Sequence, residues 1–336
     1  MRQIEIKFDN RSYNIYLGND ILKNSREFFG GQAKVMIISD NGVPKKYIDT
    51  VSNQFENSYV HIFSSGEKNK TIETYQEIIS DLIRYNFSRS DTIIAIGGGL
   101  VSDVAGFVAS SYMRGIKFYI ISTTLLSAVD ASIGGKTAIN FNGIKNVVGA
   151  FYQPNGIIID LETFDTLPER IFHEGFGEII KIALTSDKHL FEMLEQDYPL
   201  EDIVYQAILN KKKIVEIDEK ETNLRRILNF GHTVGHSLEA LYQGEYYHGE
   251  CVTMGMMYFL NDNLKIRVQK LLDKYQLPYK NNKQIDEIIS YIKLDKKNDQ
   301  EGIYIVEVNK IGNGQIGKIN YEELYEILDR GNRYVK

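Results

Sequence analysis

The segment TIIAIGGGLVSDVAG, residues 92–106, carries the clearest structural signal in the chain. An apolar, β-branched run typical of a buried strand leads into three glycines, and a helix-like stretch follows. Glycines at such a turn let backbone N–H groups at a helix N-terminus approach a pyrophosphate, which favours a dinucleotide site. The segment departs from G-x-G-x-x-G, and no acidic residue is obvious after a second strand. A plain tight turn is therefore an equal alternative.

Strand-like and helix-like segments alternate on both sides of this turn. The β-branched runs lie at residues 35–39, 59–63, 92–96, 118–122 and 157–160. Residues 71–85 repeat apolar side chains at the helical period. Strands separated by helices imply βαβ units, so residues 1–166 are predicted to form a Rossmann-like, parallel-sheet α/β domain that binds NAD.

The pattern changes after residue 166. Segments 178–184, 203–217, 230–241 and 252–260 all read as helices. Pro168, followed by an acidic residue, suits the opening of a helix and marks a natural boundary. Residues 167–336 are therefore predicted to form a mainly α-helical domain that binds metal and substrate.

The composition is that of an ordinary soluble globular protein. Of 336 residues, 43% are hydrophobic and 25% are charged, and no apolar run is long enough to cross a bilayer. The net charge of -6 argues against a nucleic-acid surface, and no signal-peptide block opens the chain. The single cysteine, Cys251, excludes an intramolecular disulfide and fits a reducing compartment. We expect a cytoplasmic protein with no membrane or nucleic-acid partner.

Two further strand ends carry groups that suit a nucleotide. In the loop after residues 59–63, Glu67 is placed to accept ribose hydroxyls and a lysine to approach phosphate; a charged loop with an N-cap at Thr71 is the plainer alternative. Residues 122–124, at the end of another predicted strand, all carry hydroxyl groups. The carboxyl ends of parallel strands share one edge of a sheet, so these groups and the glycine turn are expected to converge there.

The block at residues 129–146 mixes an acid, two lysines and repeated glycine, and it predicts a second anion pocket. Its GGKT stretch, residues 134–137, is similar to the end of a P-loop. The first glycine of that motif would stand at position 130, which is Asp130. A nucleotide triphosphatase is therefore excluded.

Three of the six histidines, His232, His236 and His248, fall in one short window and suggest a metal site. Two arrangements are open: His232 and His236 chelate together at i and i+4 with His248 as third ligand, or one of that pair joins His248 and a carboxylate. The carboxylates available are Glu174, Glu178 and Glu250. The window does not match the H-E-x-x-H motif of zincin proteases, because Thr233 stands where that motif has glutamate. Zincin protease activity is therefore unlike what this sequence predicts.

The motifs, in order, resemble those of the 3-dehydroquinate synthase family, within the sugar-phosphate cyclase superfamily, over nearly the whole chain. They are GGG (97–99) to Asp103, AGF (105–107), YMRG (112–115), STTLL (122–126) with VD (129–130), IGGKT (133–137), GEIIK (177–181), LNFGHTVGH (228–236) and HGE (248–250).

The resemblance implies a lyase that uses NAD and zinc, with cobalt as a possible substitute. It would convert 3-deoxy-D-arabino-heptulosonate 7-phosphate (DAHP) to 3-dehydroquinate and phosphate, in the second step of the shikimate pathway toward chorismate and the aromatic amino acids. The implied sequence is transient oxidation by NAD, phosphate elimination, reduction and intramolecular aldol closure. NAD is returned, and a homodimer is implied.

The resemblance also assigns residues. The implied metal ligands are Glu178, His232 and His248. The implied NAD contacts are Asp40, Ser65, Gly66, Glu67, Lys68, Asn69, Lys70, Gly98, Gly99, Leu100, Val101, Ser102, Asp103, Thr123, Thr124, Lys136, Lys145, Thr163, Phe164, Asp165 and Thr166. The implied substrate contacts are Asp130, Lys136, Asn146, Lys181, Lys211, Arg225, Asn229, His236, Lys296 or Lys297, and Arg114, which the family tends to contribute across a dimer interface.

Small-residue departures from the family pattern occur at Gly177, Ala131, Ala138 and Cys251, and none touches an implied ligand. Three rival functions stay open. A sibling sugar-phosphate cyclase should lack the residues that bind a substrate carboxylate, which here are Lys211, Arg225 and Asn229. A metal-dependent polyol or alcohol dehydrogenase should convert NAD to NADH in net. A catalytically inactive NAD-binding protein should have lost a metal ligand.

Overall fold

The computed structural model describes residues 1–30, 34–294 and 302–335. The chain divides into two compact units, Met1–Pro168 and Glu169–Lys336. The second unit opens directly on a helix after Pro168, which suits a helix start. In the described part of the chain, no helix is long and apolar enough to span a membrane.

The first unit is built on a seven-stranded sheet. Its strands are β1 (Arg2–Phe8), β2 (Arg11–Gly18), β3 (Lys34–Asp40), β4 (Asn57–Phe63), β5 (Thr92–Gly97), β6 (Lys117–Ser122) and, after the separate hairpin of β7 (Lys136–Phe141) and β8 (Ile144–Phe151), β9 (Gly156–Asp160). The order across the sheet is β1-β2-β9-β6-β5-β3-β4, and only the β1–β2 pair is antiparallel. The parallel-sheet prediction is confirmed.

The central strands are buried because helices cover both faces of a doubly wound sheet. Every residue of β5 and β9 is buried, which explains their unbroken apolar runs. In the order β4-β3-β5-β6-β9, the chain adds β4 on one side of β3 and then β5, β6 and β9 on the other. All these strands are parallel, and the switch point lies between β3 and β5. This order is the second common doubly wound one, not the Rossmann order itself, and its ligands also bind beyond the carboxyl ends of the strands at the switch point.

The helices of the first unit are α1 (Ser25–Phe28), α2 (Lys45–Ser52), α3 (Ile72–Arg84) and α4 (Gly99–Ser111). The helix predicted at residues 71–85 is α3, and Thr71 is its N-cap, with Oγ1 accepting from Thr74 N at 3.3 Å. Helix α4 follows the glycine turn, and its N-cap, Gly98, has no side chain to bond the free N–H groups of the first turn.

The second unit is mainly helical, as predicted. Its helices are α5 (Glu169–Ser186), α6 (Lys188–Glu195), α7 (Leu200–Ile217), α8 (His232–Tyr242), α9 (His248–Met256), α10 (Asp262–Lys274), α11 (Ile285–Leu294) and α12 (Tyr321–Val335). A hairpin of β10 (Ile303–Lys310) and β11 (Asn313–Ile319) was not predicted.

Several predicted helix boundaries were wrong, including the starts of the two helices that carry the clustered histidines. Helix α8 begins at His232, not at residue 230, because Gly231 takes a left-handed φ of 78° that no helix continues through. Helix α9 begins at His248, not at residue 252, since the Glu250 carboxylate accepts from Tyr247 N at 2.8 Å and caps an earlier first turn.

Candidate active site

Three side chains from three helices of the second unit converge on one buried point. Glu178 lies in the middle of α5 and is fully buried, while His232 and His248 are the first residues of α8 and α9. Glu178 Oε1 lies 3.7 Å from His232 Nε2 and 3.6 Å from His248 Nε2. Two ligands of a tetrahedral zinc ion lie roughly 3.3 Å apart, so the three atoms suit one metal ion.

The other nitrogen of each imidazole has an acceptor. Nδ1 of His232 lies 3.2 Å from the carbonyl oxygen of Phe230, and Nδ1 of His248 lies 3.3 Å from Glu239 Oε2. Metal-binding histidines usually donate their second N–H to a carbonyl or a carboxylate, which fixes the ring and leaves Nε2 to the metal. Both rings therefore present Nε2 toward Glu178.

Glu178 supplies the observation that best fits a cation. Its Oε2 accepts from the Lys181 ammonium, but its buried Oε1 has no hydrogen-bond partner among the described residues. A buried carboxylate oxygen without a partner is costly, and a metal ion bound there would satisfy it.

His236 is the third imidazole of the cluster. The ligand nitrogens of His232, His236 and His248 can all be placed within 4.8 Å of one another, so the three-histidine alternative is geometrically possible. His236 is exposed, however, and its ring centroid lies 5.1 Å from that of His232 and 5.7 Å from that of His248. We favour the set with Glu178, because a three-histidine site would leave Glu178 Oε1 unsatisfied.

The local electrostatics also favour a cation. Burial acts to raise the pKa of Glu178, but the neighbouring Lys181 and His248 lower it to about 2. Burial acts to lower the pKa of His248, yet contacts with Glu178 and Glu239 raise it to about 10; without metal this ring carries a proton, which a metal ion bound between His248 and Glu178 would displace. Burial and nearby positive charges hold the pKa of His232 well below its usual value, so this ring is neutral, as a ligand must be.

The two other carboxylates considered from the sequence are less suited to bind metal. Glu250 is already engaged: Arg170 Nε and Nη2 donate to its two oxygens, each at 2.7 Å, and Tyr247 N donates as well. Burial raises the pKa of Glu174 to about 7, so much of this carboxyl is protonated near neutral pH. Neither carboxylate combines a charge with an unpartnered oxygen as Glu178 does.

Glycines let the helices that carry the candidate metal ligands approach each other closely. A Cβ added at Gly249, beside His248, would lie 2.2 Å from the carbonyl oxygen of Glu174 in α5. A Cβ at Gly177 would lie 2.7 Å from the carbonyl oxygen of Gly249, so alanine at this position would need the two helices to separate. Glycine at 177 therefore matches the α5–α9 spacing of this chain.

We expect Gly249→Ala to lower the free energy of unfolding by about 1–3 kcal/mol, because the methyl group forces α5 and α9 apart. The zinc content should fall with it, since His248 is adjacent. Gly317→Ala is the matched control, as its Cβ would meet only Ile305 Cγ1 at 3.8 Å. Thermal unfolding and metal analysis of both variants test this. Equal stability of the two variants would show that α5 and α9 do not approach each other closely at Gly249.

We use the name substrate clamp for three polar residues of the second unit that the sequence predicts to contact the substrate: Lys211, Arg225 and Asn229. Lys211 and Arg225 are buried, and cationic side chains are seldom buried unless they are paired. Arg225 Nη1 donates to the carbonyl oxygen of Glu219 at 2.5 Å, and Asn229 Nδ2 donates to Glu221 Oε1 at 2.7 Å. The sequence interpretation missed Glu221, because its bond to Asn229 forms only when the loop between the two residues is folded.

Lys70 connects two parts of the predicted NAD site in the first unit. Its buried ammonium donates to Asp103 Oδ2 at 2.5 Å and to Asn146 Oδ1. Glu67 Oε1 accepts from Asn140 Nδ2 at 2.8 Å. These bonds join the loop after β4, helix α4 and the β7–β8 hairpin. A cavity of about 450 Å³ lies between this loop and the hairpin tip, with Lys68 and Lys145 in its lining.

The other predicted NAD contacts follow the carboxyl ends of four parallel strands. Asp40 ends β3, Gly98 to Asp103 follow β5, Thr123 and Thr124 follow β6, and Thr163 to Thr166 lie in the turn after β9. Thr123 N donates to the carbonyl oxygen of Gly97 at 3.0 Å, which ties the β5 and β6 ends together. Leu100, Val101, Ser102, Phe164 and Asp165 lie within these segments. An uncapped helix N-terminus at such an edge has the donors that a pyrophosphate needs.

The remaining predicted substrate contacts are dispersed. Asp130 lies in a π-helical turn, Ser127–Ala131, and Lys136 is exposed at the start of β7. Arg114 is exposed in a turn where Met113, Arg114 and Gly115 have φ values of 50°, 63° and 116°. Lys296 and Lys297 lie outside the described residues.

Comparison with known proteins gives consistent matches. The family model for the N-terminal part of 3-dehydroquinate synthase matches residues 60–174, and that for the C-terminal part matches residues 175–298. The chain is 36% identical to 3-dehydroquinate synthase of Pelagibacter ubique, over 96% of this chain and 95% of that protein.

Two solved structures share the fold. One is 2-deoxy-scyllo-inosose synthase complexed with carbaglucose-6-phosphate, NAD+ and Co2+, with a TM-score of 0.88 and 24% identity over 98% of this chain and 100% of that one. The other is the 2-epi-5-epi-valiolone synthase ValA of Streptomyces hygroscopicus subsp. jinggangensis with NAD+ and Zn2+ bound. Its TM-score is 0.88 and its identity 24%, over 97% of this chain and 98% of that one. The predicted α/β fold class is confirmed.

Proposed function

Since the chain belongs to the 3-dehydroquinate synthase family, we infer that it converts DAHP into 3-dehydroquinate and phosphate, as a carbon–oxygen lyase of the shikimate pathway. The observation that carries the assignment of the catalytic centre is the buried Oε1 of Glu178, which faces Nε2 of both His232 and His248.

We assign Glu178, His232 and His248 as ligands of a divalent metal ion, zinc or cobalt. One carboxylate and two imidazoles form a three-residue protein set that leaves coordination positions open for substrate. Bound there, zinc supplies Lewis-acid polarisation of a substrate hydroxyl. Lys181 fixes the orientation of the Glu178 carboxylate and brings an ammonium group to the same place.

NAD is assigned to the carboxyl edge of the sheet in the first unit. The uncapped first turn of α4 offers backbone donors to the pyrophosphate, and Glu67 offers oxygens to ribose hydroxyls. Bound there, NAD supplies a hydride acceptor that is regenerated within each turnover. Lys70, which is buried and bonded to Asp103, holds the surrounding loop in place.

DAHP carries a carboxylate and a phosphate, and the predicted contacts suit both anions. In the substrate clamp, the Arg225 guanidinium matches a planar carboxylate, while Lys211 adds a point charge. His236 is exposed beside the metal ligands and is assigned to the substrate.

Two observations favour this function over its rivals. The 3-dehydroquinate synthase of Pelagibacter ubique is 36% identical to this chain, whereas the two structurally similar cyclases are each 24% identical. The substrate clamp also suits a substrate that carries a carboxylate. Neither a polyol dehydrogenase nor an inactive NAD-binding protein would need such a group of residues.

Glu239 is expected to support the metal site through His248 Nδ1. Glu239→Gln removes the charge that polarises this ring, and we expect zinc affinity to fall by about 10- to 100-fold. Competition with a chromogenic chelator measures it. Glu245→Gln serves as a nearby exposed control. Equal zinc affinity of the two variants would exclude a role for Glu239 in the site.

We also propose a homodimer in the cytoplasm. The left-handed turn at residues 113–115 holds Arg114 outward, which suits a contribution to the second subunit's site. Size-exclusion chromatography with light scattering tests the dimer, and a single monomeric species would contradict it. The single cysteine, which is buried, suits a reducing compartment. Fractionation of the source cells tests the location.

A comparison of substrates tests the proposed function. Phosphate release is measured with DAHP and with glucose 6-phosphate, which has no carboxylate, at equal concentrations with NAD and zinc. We expect release from DAHP alone, together with formation of 3-dehydroquinate. Preferential release from glucose 6-phosphate would identify a sibling cyclase instead.

A further inference from the structure

The Asp218 carboxylate organises the loop that leads into the substrate clamp. Asp218 is the C-cap of α7, and its side chain turns back over the next seven residues. Oδ1 accepts from Thr222 N at 2.9 Å and from Thr222 Oγ1 at 3.2 Å. Oδ2 accepts from Asn223 N at 2.7 Å and from Arg225 N at 3.0 Å. One side chain thus fixes the backbone from residue 222 to residue 225.

The same loop holds the side chains of the clamp. The carbonyl oxygen of Glu219 accepts from Arg225 Nη1, and the Glu221 carboxylate accepts from Asn229 Nδ2. Glu221 has a left-handed φ of 59°, which a glutamate adopts only when its surroundings impose it. The positions of Arg225 and Asn229 therefore both depend on the course of residues 219–223.

Asp218 has the properties of a residue that fixes structure. It is buried, and its partners among the described residues are neutral donors rather than a cation. Burial acts to raise its pKa, but hydrogen bonds from Arg225, Thr222 and Asn223 lower it, so it remains charged near neutral pH. A charged acceptor makes stronger hydrogen bonds than a neutral one.

We propose that Asp218 is a positioning residue of the substrate clamp: by ordering residues 219–225 it sets the Arg225 guanidinium and the Asn229 amide to receive the substrate carboxylate. This role rests on the proposed function, because it requires that Arg225 binds substrate. Asp218 itself touches neither substrate nor metal in this proposal.

The first test is Asp218→Asn, which keeps the shape of the side chain but offers one acceptor oxygen in place of two. Two of the four donors then face an NH₂ group. We expect the KM for DAHP to rise about five- to tenfold, with kcat changed less than about threefold. The KM for NAD and the zinc content should stay at the wild-type values.

Asp187→Asn is the matched control. Asp187 also accepts four hydrogen bonds, from His189 N, Leu190 N, Gln206 Nε2 and Asn210 Nδ2. Both variants are expected to lower the unfolding temperature, but Asp187→Asn should leave the KM for DAHP within about twofold of wild type because its partners are outside the clamp loop. Equal KM changes in the two variants would mean a loss of stability alone and would overturn the proposal.

A double-mutant cycle tests whether Asp218 acts through Arg225. In the Arg225→Ala background, Asp218→Asn should raise the KM for DAHP by less than about threefold, since Arg225, one of the two groups that Asp218 positions, is gone and only Asn229 remains. A full rise of about fivefold or more in that background would show that Asp218 does not act through Arg225 and would overturn the proposal. Failure of the proposed function gives a different result, because the wild-type enzyme would then release no phosphate from DAHP.

Thr222→Val is the reserve variant if Asp218→Asn does not fold. It removes only the hydroxyl bond to the same carboxylate and keeps the backbone bonds. We expect a rise of about two- to threefold in the KM for DAHP at unchanged zinc content. An unchanged KM would contradict the proposal.

Discussion

Glu178→Gln is expected to reduce phosphate release from DAHP by at least about 10³-fold, because it removes the one charged ligand of the proposed metal site. Glutamine keeps the size of the side chain, so the packing of α5 is little changed. It leaves Lys181, whose ammonium is almost fully buried, without its carboxylate partner. The zinc affinity should fall by more than about 100-fold, measured by chelator competition on the purified protein.

Glu174→Gln is the control for this variant. Glu174 lies one turn earlier on α5 and is also buried, but its pKa of about 7 means that a neutral amide replaces a carboxyl that is largely protonated below that pH. We expect it to keep its zinc. If Glu178→Gln binds zinc normally while Glu174→Gln does not, the third ligand is Glu174 and the assignment of Glu178 is wrong.

Arg225→Lys is expected to lower kcat/KM for DAHP about 100-fold while keeping the positive charge. A lysine ammonium lacks the planar pair of donors that a carboxylate accepts, and it cannot at the same time bond the carbonyl oxygen of Glu219. The loss should appear mainly in KM, measured by steady-state kinetics at saturating NAD. Zinc content and the KM for NAD should not change.

Arg226→Lys is the neighbouring control. The Arg226 guanidinium stacks over the ring of Tyr304 at 4.0 Å, and lysine can replace that contact in part. Its kcat/KM for DAHP should remain within about threefold of wild type. An Arg225→Lys enzyme as active as Arg226→Lys would remove Arg225 from the clamp.

The sheet was predictable from the sequence because its central strands are buried on both faces. Runs such as residues 92–96 and 157–160 contain little but apolar residues, so no pairing information was needed to recognise them. The β7–β8 hairpin was not predicted. Strand β8 is exposed along most of its length, and its apolar residues do not alternate between buried and exposed positions. Such a strand gives no period to read.

The candidate site was predictable only in part. The cluster of His232, His236 and His248 predicted a metal site. Glu178 lies more than fifty residues earlier, and only the resemblance to a family selected it as a ligand over Glu174 and Glu250. The structure adds a physical reason, the unpartnered Oε1. Asp218 and Glu239 gave no sequence signal, because an acidic residue that bonds a backbone or an imidazole looks like any other charged residue until the chain is folded.

The proposed reaction uses NAD and returns it while phosphate leaves DAHP. The most direct test is to incubate the zinc-loaded protein with excess DAHP and a limiting amount of NAD, about one molecule per ten of substrate, and to measure phosphate, 3-dehydroquinate and NADH together. We expect several molecules of phosphate per molecule of NAD, an equal amount of 3-dehydroquinate, and no net NADH. Net NADH formed in proportion to product would contradict it and point to a dehydrogenase; a folded, zinc-loaded protein that releases no phosphate would contradict it outright.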